Sequence, residues 1–166
     1  NSHVRESVDQ EAWRIALVEE LRWYAKQSHP HPQPVGSIFF GGGTPSLMAA
    51  HTAAALIDEA GALFGFTDDV EITLEANPTS VEATTFADFS HAGINRLSLG
   101  VQSLRQRHLT LLGREHNAGE ALRAVERAAH AVPRYSFDLI YALPDQSLQD
   151  WQEELEEALT YARGHL

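Results

Sequence analysis

"DVEITLEANPTSVEATTFADFSHAGINRLSLGV", Asp69–Val101, sets two short alternating runs on either side of a helical segment. Successive strand side chains point to opposite faces. Val70, Ile72 and Leu74 therefore share one face and Glu71, Thr73 and Glu75 the other, while Leu97, Leu99 and Val101 oppose Arg96, Ser98, Gly100 and Gln102. Between the runs, Thr79-x-x-Glu82 predicts a capping box that opens a helix, and Gly93 ends it. Strand, helix and strand at this spacing predict a parallel βαβ unit with a right-handed crossover.

The same alternation extends in both directions. Upstream, Ser7-x-x-Gln10 predicts the cap of a first helix whose Trp13, Leu17, Leu21 and Tyr24 form an apolar stripe. Ser37–Phe40 then reads as a strand, and Leu56, Ile57, Ala60, Leu63 and Phe64 line one face of the helix after it. Downstream, Asn117-x-x-Glu120 opens "EALRAVERAAHA", and "YSFDLIYA" is a strand in which Phe137, Leu139 and Tyr141 oppose Ser136 and Asp138. Ser147-x-x-Asp150 opens the last helix, "WQEELEEALTYA", whose stripe of Trp151, Leu155 and Ala158 leaves its carboxylates to solvent. One helix and four strand-helix units predict an α/β fold with parallel strands, either a TIM-like barrel or an open doubly wound sheet. An eight-unit barrel takes about 250 residues. Four units in 166 residues thus predict part of a (β/α) barrel, spanning residues 1–166 as one domain.

Composition narrows the function. A net charge of −11 opposes nucleic-acid phosphates and anionic lipid, so no nucleic-acid partner is expected. No apolar run approaches the roughly 20 residues of a membrane span, and "NSHVRESVDQ" does not resemble a signal peptide, so no transmembrane segment and a cytoplasmic location are expected. With zero cysteines these residues hold no disulfide, thiolate nucleophile or cysteine-bound metal.

The polar faces of the strands converge. Glu75 and Gln102 fall at or just past the C-terminal ends of their strands, where parallel α/β folds bind ligands, and Asp138 lies on the same face nearer mid-strand. At the equivalent end of the first strand stands the bare run "IFFGGGTPS", Ile38–Ser46. It lacks the Gly-Lys-Ser/Thr ending of a phosphate-binding P-loop and the last glycine of G-x-G-x-x-G, so the residues alone allow a tight turn or a ligand loop. An internal guanidinium such as Arg96 offers the buried carboxylates a purely structural partner. Arg114, after Gly113 in the connection beyond Gln102, suits a ligand carboxylate or a surface ion pair.

The remaining candidates are weaker. His29-Pro30-His31-Pro32 is read as an extended connection, and His108 and His116 as exposed helix or loop residues. An aldolase-like barrel using Glu75 and Asp138 as acid and base needs a lysine or metal partner, but the only lysine, Lys26, lies in the first helix.

Five segments, "IFFGGGTPSLM", "ITLEANPTS", "AGINRLSLGVQS", "HLTLLGREHN" and "FDLIYALPDQSLQDW", resemble in order and spacing the radical S-adenosylmethionine (SAM) enzymes of the oxygen-independent coproporphyrinogen III oxidase family. They are most similar to its HemW-type haem chaperone branch. "FFGGGTPS" favours that branch, since true oxidases tend to carry His-Trp before the glycines.

The resemblance implies a fragment of a radical SAM core with SAM as ligand. Gly42, Gly43 and Thr44 would lie along its methionine part, and Glu75, Gln102, Arg114 and Asp138 would complete the pocket. It also implies haem or porphyrin as a further ligand and a haem-acceptor protein as partner. Family members hold a [4Fe-4S] cluster through C-x-x-x-C-x-x-C, which this chain lacks. The resemblance therefore implies that residues 1–166 start just after the cluster cysteines and end before the last barrel strands, and that this piece alone is inactive, with no catalytic or metal-ligating residue. Thr79 and Ala142 stand where glycine is commoner in the family, and Glu115 where an apolar residue is. A cluster-free module that binds SAM or a nucleoside is the competing expectation.

Overall fold

The computed structural model describes residues 8–27, 33–79, 82–163 and 165–166. The chain runs α1 (Gln10–Gln27), β1 (Val35–Phe40), α2 (Ala50–Phe64), β2 (Phe66–Ala76), α3 (Phe86–His91), β3 (Arg96–Gln102), α4 (Gln106–Leu111), α5 (Ala118–Ala131), β4 (Arg134–Leu139) and α6 (Leu148–Leu159). Single 3-10 turns occupy Pro45–Leu47 and Glu82–Thr84. All four strands are parallel, in the order β1-β2-β3-β4. A doubly wound sheet reverses direction at its switch point, whereas here each strand adds on the same side of the last. One-way winding is the barrel alternative.

The core lies between the sheet and its outer helices. Ile72, Leu74, Leu97, Leu99, Val101 and Phe137 from the strands pack against Ile57, Phe86, Phe89, Ala121, Val125 and Ala128 from the helices. The aliphatic rungs read from the alternation are thus the buried ones. On the opposite face Glu71 meets Arg96 at 2.9 Å and Arg134 at 3.5 Å, and Arg96 also donates to Ser136 Oγ at 3.1 Å.

Two predicted capping boxes are present in full, Asn117 with Glu120 and Ser147 with Asp150. The other two differ. Ser7 lies outside the described residues, as does the His29–Pro32 tract; Asp9 caps α1, its Oδ1 accepting from Ala12 N at 2.9 Å. Gln10 instead reaches across to Ala49 N at 3.1 Å and Leu47 O at 3.4 Å. Thr79 Oγ1 does accept from Glu82 N at 3.3 Å, but Glu82 turns its carboxylate away to Ser46 and Asn77. The predicted helix up to Gly93 is therefore split into a 3-10 turn and the short α3.

Four further expectations are corrected. The α1 stripe is only half covered: Leu17 and Leu21 are half-buried, Trp13 and Tyr24 are more than half exposed, and α1 rests on α2 in part through the Arg22–Glu59 ion pair. Tyr141 falls past the end of β4 and lies exposed against the Trp151 ring, centroids 5.5 Å apart. His108 and His116 are buried rather than exposed, because each has an internal partner. His116 Nε2 donates to Val101 O at 3.0 Å, and His108 Nδ1 faces Ser103 Oγ at 3.3 Å and Glu154 Oε2 at 3.4 Å. Glu154, assigned to the solvated side of α6, is itself buried; it accepts from Ser103 Oγ and from Leu104 N at 2.6 Å.

Candidate functional site

The strand ends of the sheet enclose a cavity of about 200 Å³, lined by Gly43, Thr44 and Pro45 after β1, Glu75, Ala76 and Asn77 from β2, Ser98, Gly100 and Gln102 from β3, and Asp138 from β4. Parallel registry explains the convergence, since Glu75 pairs with Ser98 and Ser98 with Ser136, two residues before Asp138. The volume falls below the about 300–1,000 Å³ of whole small-molecule sites, so these walls have room for only part of such a molecule.

The backbone at the rim is unusual in two places. Gly42 and Gly43 hold φ of +81° and +57°, the left-handed region that favours glycine. Gln102 adopts φ +69° without being glycine, while its carbonyl accepts from Ile140 N at 2.8 Å. Non-glycine residues in this region concentrate at functional sites. A Cβ on Gly100 would lie 2.9 Å from Gln102 Nε2, so the missing side chain there makes room for Gln102 to fold over the cavity.

The cavity's electrostatics select a class of ligand. Glu75 Oε2 accepts from Gly42 N at 3.3 Å, and the Asp138 carboxylate has no hydrogen bond or ion pair among the described residues. Arg96, the structural partner considered for these carboxylates, is taken by Glu71. No Lys or Arg lines the walls. Two carboxylates without a guanidinium beside them suit a ligand bearing hydroxyls, an amino group or a positive centre, and the bare glycine backbone admits close approach.

Of the seven residues expected at the site, Gly43, Thr44, Glu75, Gln102 and Asp138 line the cavity and Gly42 hydrogen-bonds to one of them. Arg114 does not join them. It is exposed beyond α4, where its amide donates to Leu109 O at 2.9 Å. Sequence reasoning missed Ser98 and Asn77: the first shares the face of Gln102 and was legible by alternation, but the second lies past the strand, where periodicity carries no signal.

The carboxylates of the walls, with no cationic partner among the described residues, fit the amino group, sulfonium and ribose hydroxyls of SAM. They do not fit an iron-sulfur cluster. The chain has no cysteine, and among the described residues no group of three His, Asp or Glu side chains could hold a metal.

Comparison with known proteins gives a consistent picture. The Radical SAM superfamily profile matches residues 3–158. "Radical S-adenosyl methionine domain-containing protein 1, mitochondrial" of Mus musculus is 42% identical over 167 residues, covering 100% of this chain and 37% of that protein. "Heme chaperone HemW" of Escherichia coli (strain K12) is 44% identical over 133 residues, covering 80% of this chain and 35% of its own. The solved coproporphyrinogen III oxidase HemN of Escherichia coli, a radical SAM enzyme, superposes with a TM-score of 0.78 at 25% identity, over 96% of this chain and 36% of that one. The chain spans little more than a third of each relative.

Proposed function

Because this chain belongs to the radical SAM superfamily, we propose that its strand-end cavity binds SAM and that the full-length protein is a HemW-type haem chaperone. The observation that carries the ligand is the meeting of Glu75, Gln102 and Asp138 with the glycine backbone in one cavity lined by no Lys or Arg. Membership implies SAM and a [4Fe-4S] cluster, and the resemblance drawn from five sequence segments agrees with the HemW and HemN relatives.

In this reading Glu75 and Asp138 receive ribose hydroxyls or the amino group, while Gly42, Gly43 and Thr44 present backbone and hydroxyl to the methionine part. Arg114, on its exposed loop, is assigned to the ligand carboxylate. The cluster belongs to cysteines outside these residues, so no catalytic step is assigned to this chain. SAM beside such a cluster supplies radical chemistry in oxidase-like members. Haem and an acceptor protein are proposed as the partners of the full-length protein, on the strength of the HemW relatives. The cytoplasm is the proposed compartment; among the described residues no helix is long and apolar enough to cross a membrane, and the mouse relative is named mitochondrial.

The likeness to HemN favours a second reading, a true coproporphyrinogen III oxidase. Anaerobic titration of the full-length protein with SAM and with haem separates them. Saturable binding of both, without conversion of coproporphyrinogen III, supports the chaperone; conversion of the porphyrinogen supports the oxidase. Coding sequence upstream of Asn1 tests the cluster-free module: three cysteine codons at C-x-x-x-C-x-x-C spacing exclude it.

A further inference from the structure

We propose that Glu82 is a positioning residue for the SAM site: it ties the glycine loop to the exit of β2 and so governs ligand affinity without touching the ligand. The inference rests on the reading of the cavity as a SAM site. Glu82 is buried, and its three side-chain contacts come from two segments that both form cavity wall. From the first segment, Ser46 Oγ donates to Oε2; Ser46 is buried one residue past Pro45, on the 3-10 turn that follows Thr44. From the second, Asn77 donates its amide to Oε2 at 2.9 Å and Nδ2 to Oε1 at 3.3 Å.

Glu82 is anchored in turn. Its amide donates to Thr79 Oγ1 at 3.3 Å, and Ala83 N donates to Thr79 O at 3.1 Å. A second link between the same two strand ends runs through the cavity itself, from Gly42 N to Glu75 Oε2 at 3.3 Å. That link is long, and both its groups are ones a bound ligand competes for. Once a ligand takes the Glu75 carboxylate, the buried Glu82 contacts remain as the side-chain tie between the loop and β2. Gly42 and Gly43 carry no side chains, so side-chain ties to the segment begin beyond them, at Ser46 with Glu82 beneath it and at Leu47 and Ala49 with Gln10 of α1. Removing a residue that orients ligating groups typically lowers affinity by about 10–100-fold in metal sites, and the same logic applies to a loop that presents backbone to SAM.

The test uses anaerobically prepared full-length protein with SAM as the probe. Glu82→Ala is expected to raise the SAM Kd by about tenfold or more, and Ser46→Ala by less. Glu82→Gln, which keeps an acceptor for Ser46 and Asn77 N, recovers most of the affinity. The Ser46→Ala and Glu82→Ala effects should also be less than additive, because they break the same link. Amide hydrogen exchange supplies a readout free of SAM: the hydrogen-bonded amides of Gly42, Leu47 and Asn77 exchange faster in Glu82→Ala than in Glu82→Gln. Unchanged exchange there overturns the proposal, as does wild-type SAM affinity in folded Glu82→Ala. Should Glu82→Ala fail to fold, equal affinity and exchange in wild type and Ser46→Ala overturn it instead. A wild-type protein that does not bind SAM overturns the cavity reading and this inference with it, whereas binding by the wild type with indifference to Glu82 overturns the inference alone.

Discussion

Gly42 N donates to Glu75 Oε2 at 3.3 Å, so the first bare turn of the sheet leans on the carboxylate that ends the neighbouring strand. Parallel pairing brings them together, with Phe40 opposite Leu74 in register. The contact joins the two features on which ligand binding is argued, a glycine backbone and an acidic side chain at adjacent strand ends.

Gly43 and Gly65 provide a matched pair of substitutions. Both hold positive φ, +57° and +71°, and neither has an atom within 4 Å of where a Cβ would stand. Alanine should cost stability at both positions through backbone strain alone, about 1–3 kcal/mol, and at least as much at Gly65, whose ψ of 165° puts it in a region almost closed to other residues. Only Gly43 lines the cavity, so only Gly43→Ala should also weaken SAM binding. Denaturant unfolding and SAM titration of the two variants separate the effects.

Ala142 predicts a gain. Its φ of +58° lies in the left-handed region that favours glycine. Ala142→Gly should stabilise the protein by about 1 kcal/mol, because relief of strain outweighs the added freedom of the unfolded chain. An unchanged urea midpoint would contradict it.

The Arg96 guanidinium, through its hydrogen bond to Glu71, holds that carboxyl below the usual carboxylate range; burial opposes the shift, and Thr73 and Arg134 add to it. A carboxyl whose folded pKa is depressed contributes stability above its unfolded pKa and loses it as pH falls through the folded value. Stability carried by this pair should therefore be full at neutral pH and disappear on acidification below the ordinary glutamate range. Glu71→Gln should flatten that acid limb, as read from urea midpoints between neutral and acid pH. The side chains are partly exposed, so the effect is screened.

Glu154 predicts a loss larger than a helix-surface carboxylate would give. It is 1% exposed, holds Ser103 and Leu104 N, and faces His108 across 3.4 Å. Glu154→Ala takes the acceptor from buried Leu104 N and from Ser103 Oγ, which keeps its contacts with His108 and Arg105 N, and should cost about 3 kcal/mol, against a few tenths for the exposed Glu153→Ala. Comparable small effects at both positions would show that the cluster contributes nothing.

The sheet was legible in the sequence because its rungs alternate cleanly. Leu74, Leu97 and Leu99 are buried, while Glu75, Gln102 and Asp138 meet at the cavity on the other face. What alternation does not report is a partner brought near by tertiary packing. The Thr79-x-x-Glu82 spacing signals a helix start, but Ser46, distant in sequence, captures the carboxylate. In the same way His108 and Glu154 look like surface residues on polar helices, and they are buried where both meet Ser103. Arg114 marks another limit: it lies on an exposed loop outside the cavity walls, where strand alternation carries no signal, and only its place after Gly113 and the resemblance point to it.

The most direct measurement is an equilibrium titration of SAM into anaerobically prepared full-length protein, wild type beside Glu75→Gln and Asp138→Asn. The cavity reading predicts saturable binding by the wild type and about tenfold or greater loss in each variant, the size of a lost hydrogen bond to a charged group. Wild-type affinity in both variants, with their folds intact, would contradict it.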